Sequence, residues 1–121
     1  MKTILLVDDS TFTRNSLRKT LLDKGLNILQ GSNGMEAIEI LKNNSIDLIV
    51  TDLNMPEMDG LGLLERLKAN NHKIPVLVFT ADIQDTTREH CMNLGARDVI
   101  HKQFNQKLLS NIESILNEDV P

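Results

Sequence analysis

Five short apolar runs, at residues 4–7, 27–29, 47–51, 76–79 and 98–100, alternate with longer segments whose apolar residues recur at helical spacing. Runs this short, rich in Ile, Leu and Val, read as strands buried on both faces, and the segments between them read as crossover helices. Five such βα units use up the 121 residues, so one domain over 1–121 is expected. Phe12, Leu17 and Leu21 give the first helix an inward stripe, and Gly25 after Lys24 is its stop signal. Gly34 precedes the second, carried by Ala37, Ile38 and Leu41, and Leu61, Leu64 and Leu67 mark the third, which gives out at Asn70-Asn71. The fourth, around 86–94, has a poor stripe and ends at Gly95, so it is expected to be the most mobile. Leu108, Ile112, Ile115 and Leu116 form a clear stripe for the fifth.

Parallel strands joined by right-handed crossovers leave a crevice beyond their carboxyl ends. Five units of this size predict a doubly wound α/β sandwich of the flavodoxin-like class, with strand order 2-1-3-4-5. The residues that follow each strand are therefore the informative ones. Strand one runs into Asp8-Asp9, strand three into Asp52, strand four into Thr80 and strand five into Lys102. With Glu57, Asp59 and Asp82 on neighbouring loops, six of the 17 acidic residues are expected at one end of the fold.

Carboxylates brought together repel one another unless a cation neutralises them. An oxygen-only donor set without His or Cys calls for a hard ion, and Mg²⁺ suits few protein oxygens plus a shared phosphate better than Ca²⁺ does. A carboxylate beside such an ion can attack phosphorus and form an acyl phosphate. The Lys102 ammonium and the Thr80 hydroxyl are suited to bind the phosphoryl oxygens. Taken singly, each fragment has an ordinary structural reading: Asp9-Ser10 as a helix cap, Asp52 as a turn residue, Lys102 as a solvated charge. Their conjunction at matching strand ends favours the chemical reading.

These residues resemble the receiver domain of two-component response regulators, over essentially the whole chain. The resemblance rests on Ile4-Leu5-Leu6-Val7-Asp8-Asp9-Ser10, on the run from Asp47 through Asp52-Leu53-Asn54-Met55-Pro56-Glu57-Met58-Asp59-Gly60, on Val76-Leu77-Val78-Phe79-Thr80-Ala81, and on Lys102. It implies that Asp52 is the phosphoacceptor, charged by a sensor histidine kinase or a histidine phosphotransfer protein. Asp9 and Asp8, with Asp52 and the main-chain carbonyl of Asn54, would hold Mg²⁺. Thr80, the Ala81 main-chain amide and Lys102 would bind the phosphoryl group, and Asn54 and Asp82 would tune its hydrolysis. A downstream protein would read the face formed by the fourth helix, fifth strand and fifth helix. The likeness is strongest to single-domain, chemotaxis-type regulators.

Two positions depart from the family pattern. Val99 stands where an aromatic ring usually swings, so the Thr80 movement is expected to be relayed through the fourth helix and the loop before it. Gln103 follows Lys102 where Pro is usual. A trans Lys102-Gln103 bond is expected, because a cis bond before a non-proline residue costs about 2.5–4 kcal/mol, and the loop after it is expected to be repositioned.

Other functions find less support. Three Phe and no Tyr or Trp, with a net charge of −4, disfavour nucleic-acid binding. One Cys, no signal-peptide pattern and no run of about 20 apolar residues point to a cytoplasmic protein without membrane insertion. Cys91 is expected to be an inert, partly buried thiol, and His72, His90 and His101 lack metal-site spacing. Gly31-Ser32-Asn33-Gly34 reads as a tight turn, and Met55 and Met58 as loop packing. A haloacid-dehalogenase-type phosphatase needs a second Asp two residues after the nucleophile, where this chain has Asn54. A receiver that binds partners without phosphorylation, or one excised from a larger hybrid kinase or regulator, remains the alternative.

Overall fold

The computed structural model describes residues 1–82 and 84–118, so the last three residues of the domain expected over 1–121 lie outside it. Its elements run β1 (Thr3–Val7), α1 (Thr11–Leu22), β2 (Asn27–Gly31), α2 (Gly34–Asn43), β3 (Leu48–Thr51), α3 (Gly60–Ala69), β4 (Val76–Thr80), α4 (Asp85–Asn93), β5 (Asp98–His101) and α5 (Asn105–Leu116). The five strands form one sheet in the order β2-β1-β3-β4-β5, every neighbouring pair parallel. This is the expected doubly wound sandwich.

Alternation along the strands divides the core in two. Leu5, Val7, Ile49, Val76 and Val78 pack with Ala37, Ile38, Leu63, Leu64 and Leu67 of α2 and α3. Ile4, Leu6, Leu48, Val50, Leu77, Phe79 and Ile100 face the other way, onto Leu17, Leu21, Leu108 and Ile112 of α1 and α5. Both faces of the central strands are covered, which is why these strands read as unbroken apolar runs.

The expected inward stripe of α1 needs correction. Leu17 and Leu21, four residues apart, share the buried face, but Phe12 is 83% exposed. Phe12 lies five residues before Leu17, about 140° around the helix, so the same face cannot hold both. In α4 Cys91 is the buried residue, and no side chain caps the helix start. Cys91 is fully buried, not partly, and desolvation, with the Asp82 charge, pushes its thiol pKa up. The 31–34 segment is more than a turn: Asn33 caps α2 by accepting from the Glu36 amide, while Glu36 accepts from the Ser32 amide at 2.7 Å. Met55 and Met58 pack against the α2/α3 core as expected.

Candidate functional site

Sheet register brings the strand-end residues together. Val7 pairs with Thr51, and Thr51 with Val78, so Asp8 and Asp52 leave adjacent strands side by side. Thr80 pairs with His101, which puts Lys102 next to it, and the Lys102 amide donates to the Thr80 carbonyl at 2.9 Å. The ladder thus persists one residue beyond β5 and aims Lys102 at the carboxylates. No cis peptide bond occurs among the described residues, so Lys102-Gln103 is trans as expected. The Gln103 amide turns back to donate to His101 Nδ1.

Carboxylate oxygens of Asp8, Asp9 and Asp52 lie within 4.8 Å of one another. Asp8 and Asp52 are buried and Asp9 is exposed, so the cluster is open to solvent on the Asp9 side. Lys102 Nζ bonds Asp52 Oδ2 at 2.7 Å and Asp8 Oδ2 at 2.9 Å. Burial pushes the ammonium pKa down, but hydrogen bonds and charge from Asp52 and Asp8 outweigh it and hold it above the ordinary lysine value. One ammonium against three carboxylates leaves two negative charges unbalanced, which a divalent cation would match. An all-oxygen donor set open on one side fits Mg²⁺, which keeps several waters.

Asp52 is held from several directions. Its Oδ1 accepts from the Leu53 amide at 2.6 Å, and its carbonyl accepts from the buried Thr51 hydroxyl at 2.9 Å. A methyl group added at Gly60 would collide with that same carbonyl, so only glycine lets α3 start this close to the β3 terminus. Asp8 Oδ1 accepts from the Ser10 amide at 2.8 Å, and Ser10 in turn caps α1 through the Thr13 amide.

Some candidates are engaged elsewhere. Asp59 caps α3 by accepting from the Gly62 amide at 2.8 Å, and Glu57 is exposed with a φ of 66°. Of the six acidic residues expected at this end of the fold, Asp8, Asp9 and Asp52 bring carboxylate oxygens close enough together to share a cation. Thr80 is fully buried, its hydroxyl accepting from the Asp82 amide at 3.1 Å. The Asp82 carboxylate accepts from the Gln84 amide and from the Thr87 hydroxyl, at 3.1 and 3.0 Å, which commits it to the start of α4. Asn54 and Ala81 are exposed at the rim, and Val99 is half-buried against the core.

Sequence reasoning missed three supports of the site: Thr51, Gly60 and Arg14. Gly60 stood inside the quoted motif without a role. Arg14 carried a faint signal, as a cation one helical turn past Ser10. Its guanidinium reaches back to the Asp8 carbonyl.

Residues 4–113 match the family model described as response regulator receiver domain. Curated relatives include the response regulator MprA of Mycobacterium sp. (strain KMS), 34% identical over 119 residues, covering 98% of this chain and 52% of that protein. MprA of Mycobacterium leprae is likewise 34% identical over the same shares. The chain spans about half the length of these relatives. Among solved structures, a two-component response regulator from Clostridium difficile superimposes with a TM-score of 0.91 at 26% identity, covering 98% of each chain. The CheX-CheY-BeF3-Mg+2 complex from Borrelia burgdorferi gives 0.90 at 29% identity, over 97% of this chain and 90% of that one.

Proposed function

The chain belongs to the response regulator receiver family, and from that premise we propose that it is a phosphorelay receiver, one domain over 1–121, whose phosphoacceptor is Asp52. The observation that carries this reading is the Asp52 carboxylate itself. It is buried at the rim, beside two further carboxylates and bonded to Lys102.

A carboxylate oxygen of Asp52 attacks the phosphorus of a phosphohistidine on a sensor kinase or phosphotransfer protein. The oxygen–phosphorus bond forms as the phosphorus–nitrogen bond breaks, and the electron pair leaves with the imidazole. Asp8, Asp9, Asp52 and the Asn54 carbonyl would hold Mg²⁺, which when bound offsets charge on the phosphoryl oxygens. Lys102 exchanges its bonds to Asp52 and Asp8 for one to the incoming phosphoryl group. Thr80 turns its hydroxyl from the Asp82 amide toward another phosphoryl oxygen, and the Ala81 amide donates to the same group. Asn54 and Asp82 flank the later approach of water. The reaction modifies the protein's own side chain, so the protein is a switch and not a turnover enzyme.

The donor approaches over the rim. There lies a groove of about 140 Å³ lined by Phe12, Ser16, Phe79, Lys102 and Asn105. The downstream protein reads the α4-β5-α5 face. A cytoplasmic setting suits these partners, and no helix among the described residues is long and apolar enough to cross a membrane. The Borrelia complex of CheX and CheY with BeF3 and Mg+2 supports the same ligands here.

The test is a small phosphodonor with Mg²⁺, followed by intact mass. Wild type gains one phosphoryl group and Asp52→Asn gains none. A wild type that stays unmodified, or a variant modified equally, contradicts the proposal.

A further inference from the structure

Arg14 is half-buried on the first turns of α1, and its guanidinium makes three contacts. Nη1 donates to the Asp8 carbonyl, Nε to Gln30 Oε1 at 3.2 Å, and Nη2 to the Thr11 hydroxyl at 3.5 Å. All three acceptors are uncharged. The cation thus grips the backbone that carries Asp8 and Asp9 without consuming either carboxylate. It also lines, with Asp8, Thr51 and Asp52, a cavity of about 10 Å³ beneath the site, room for one water at most.

Asp9 depends on this grip more than its neighbours do. Asp8 is tied by Ser10 and Lys102, and Asp52 by Leu53 and Lys102, whereas Asp9 is exposed on the short link between β1 and α1. From this geometry we infer that Arg14 is a positioning residue for divalent-cation binding: its planar fork, anchored on Gln30 at the end of β2, fixes the Asp8-Asp9 backbone so that both carboxylates face Asp52. The inference rests on the reading of this cluster as a Mg²⁺ and phosphoryl site, and deepens it.

Two effects of Arg14 oppose each other. Its charge repels a cation nearby, while its fork arranges the ligands that bind one. Lysine keeps the charge but has no fork to reach Gln30 and the carbonyl together. Arg14→Lys therefore isolates the geometric effect, and Arg14→Met removes both.

The experiment titrates Mg²⁺ alone into wild type, Arg14→Lys, Arg14→Met and Gln30→Met, following backbone amide shifts. Thermal midpoints are measured without Mg²⁺. Arg14→Lys should weaken Mg²⁺ binding about tenfold or more, as loss of a group that orients metal ligands typically does. Arg14→Met should weaken it less than Arg14→Lys, because the repelling charge is gone too, and Gln30→Met should weaken it severalfold. Phosphorylation by a small donor should recover in each variant at saturating Mg²⁺, a shift in half-saturation with little change in limiting rate. Arg14→Lys binding Mg²⁺ within twofold of wild type overturns the inference, as does a lowered thermal midpoint with unchanged affinity. Should the Arg14 variants not fold, unchanged affinity in Gln30→Met overturns it alone. Wild type that binds no Mg²⁺ removes the underlying site reading as well, so the two failures are distinct.

Discussion

Lys102 joins Asp52 to Asp8 with its side chain 26% exposed and theirs 8%. Removing it strands two nearly buried carboxylates, so Lys102→Met should destabilise the metal-free protein by about 1–3 kcal/mol, with Mg²⁺ restoring much of the loss. Chemical denaturation with and without Mg²⁺ checks this; an equal loss in both contradicts it. The raised pKa of Lys102 also sets a pH window. The group gains its partners only on folding, so its contribution is complete below the unfolded value of 10.5 and is lost as pH rises through the higher folded value. Stability should fall in that alkaline range in wild type and be flatter in Lys102→Met. At Gly60 an added methyl meets the Asp52 carbonyl, so Gly60→Ala should cost about 1–3 kcal/mol and slow phosphorylation by displacing Asp52. Equal stability and equal phosphorylation rate would refute that close approach. The strand-end residues were legible because each stands within two residues of the end of an apolar run. Arg14 was not, since spacing along a chain does not say that a side chain turns back to bond a carbonyl. Nor did the acidity of Asp59 reveal that it would be spent on a helix cap.

Among the elements, α4 depends on polar ties. Its start is held by Asp82 through Thr87, and Arg88 bonds both the Val99 carbonyl at 2.9 Å and Asp98 at 2.8 Å. Burial raises the Asp98 pKa, but the Val99 amide and the Arg88 guanidinium outweigh it and hold it below the ordinary value of 3.8. That support is present above 3.8 and lost as pH falls through the lower folded value. Arg88 is about half exposed, so Arg88→Ala should cost only about 0.2–1 kcal/mol globally. Amide exchange should accelerate in α4 more than in α1 or α5; uniform acceleration would contradict a local tie. With Val99 in place of a ring, Thr80 has a polar route to α4. When its hydroxyl leaves the Asp82 amide, the Asp82–Thr87 bond is the next connection. Thr87→Val should therefore preserve phosphorylation while shrinking the accompanying shift changes in α4, and unchanged α4 shifts would exclude this route. The weak stripe of α4 was readable in the sequence. Its ties were not, because they are polar side-chain bonds that an apolar pattern does not register, and Phe12 was misplaced because it shares the apolar character of Leu17 and not its face.

For the whole molecule, alternating strands and helices made a parallel, doubly wound sheet legible, and because its strands are parallel, Asp8, Asp52, Thr80 and Lys102 lie on one rim. The rim gathers three carboxylates and one ammonium at a single place. Mg²⁺ binding only the folded chain should stabilise it by about 2.7 kcal/mol at a hundredfold excess over Kd. Sodium chloride at matched ionic strength should not reproduce this, and neither should Mg²⁺ with Asp9→Ala. The central claim is that Asp52 is a Mg²⁺-dependent phosphoacceptor whose modification is felt at a distance. Backbone NMR of wild type and Asp52→Ala with beryllofluoride, with and without Mg²⁺, tests it most directly. The account predicts shifts at Asp52, Thr80 and α4 only in wild type with Mg²⁺. A wild type that stays silent, or an Asp52→Ala protein that responds alike, would contradict it.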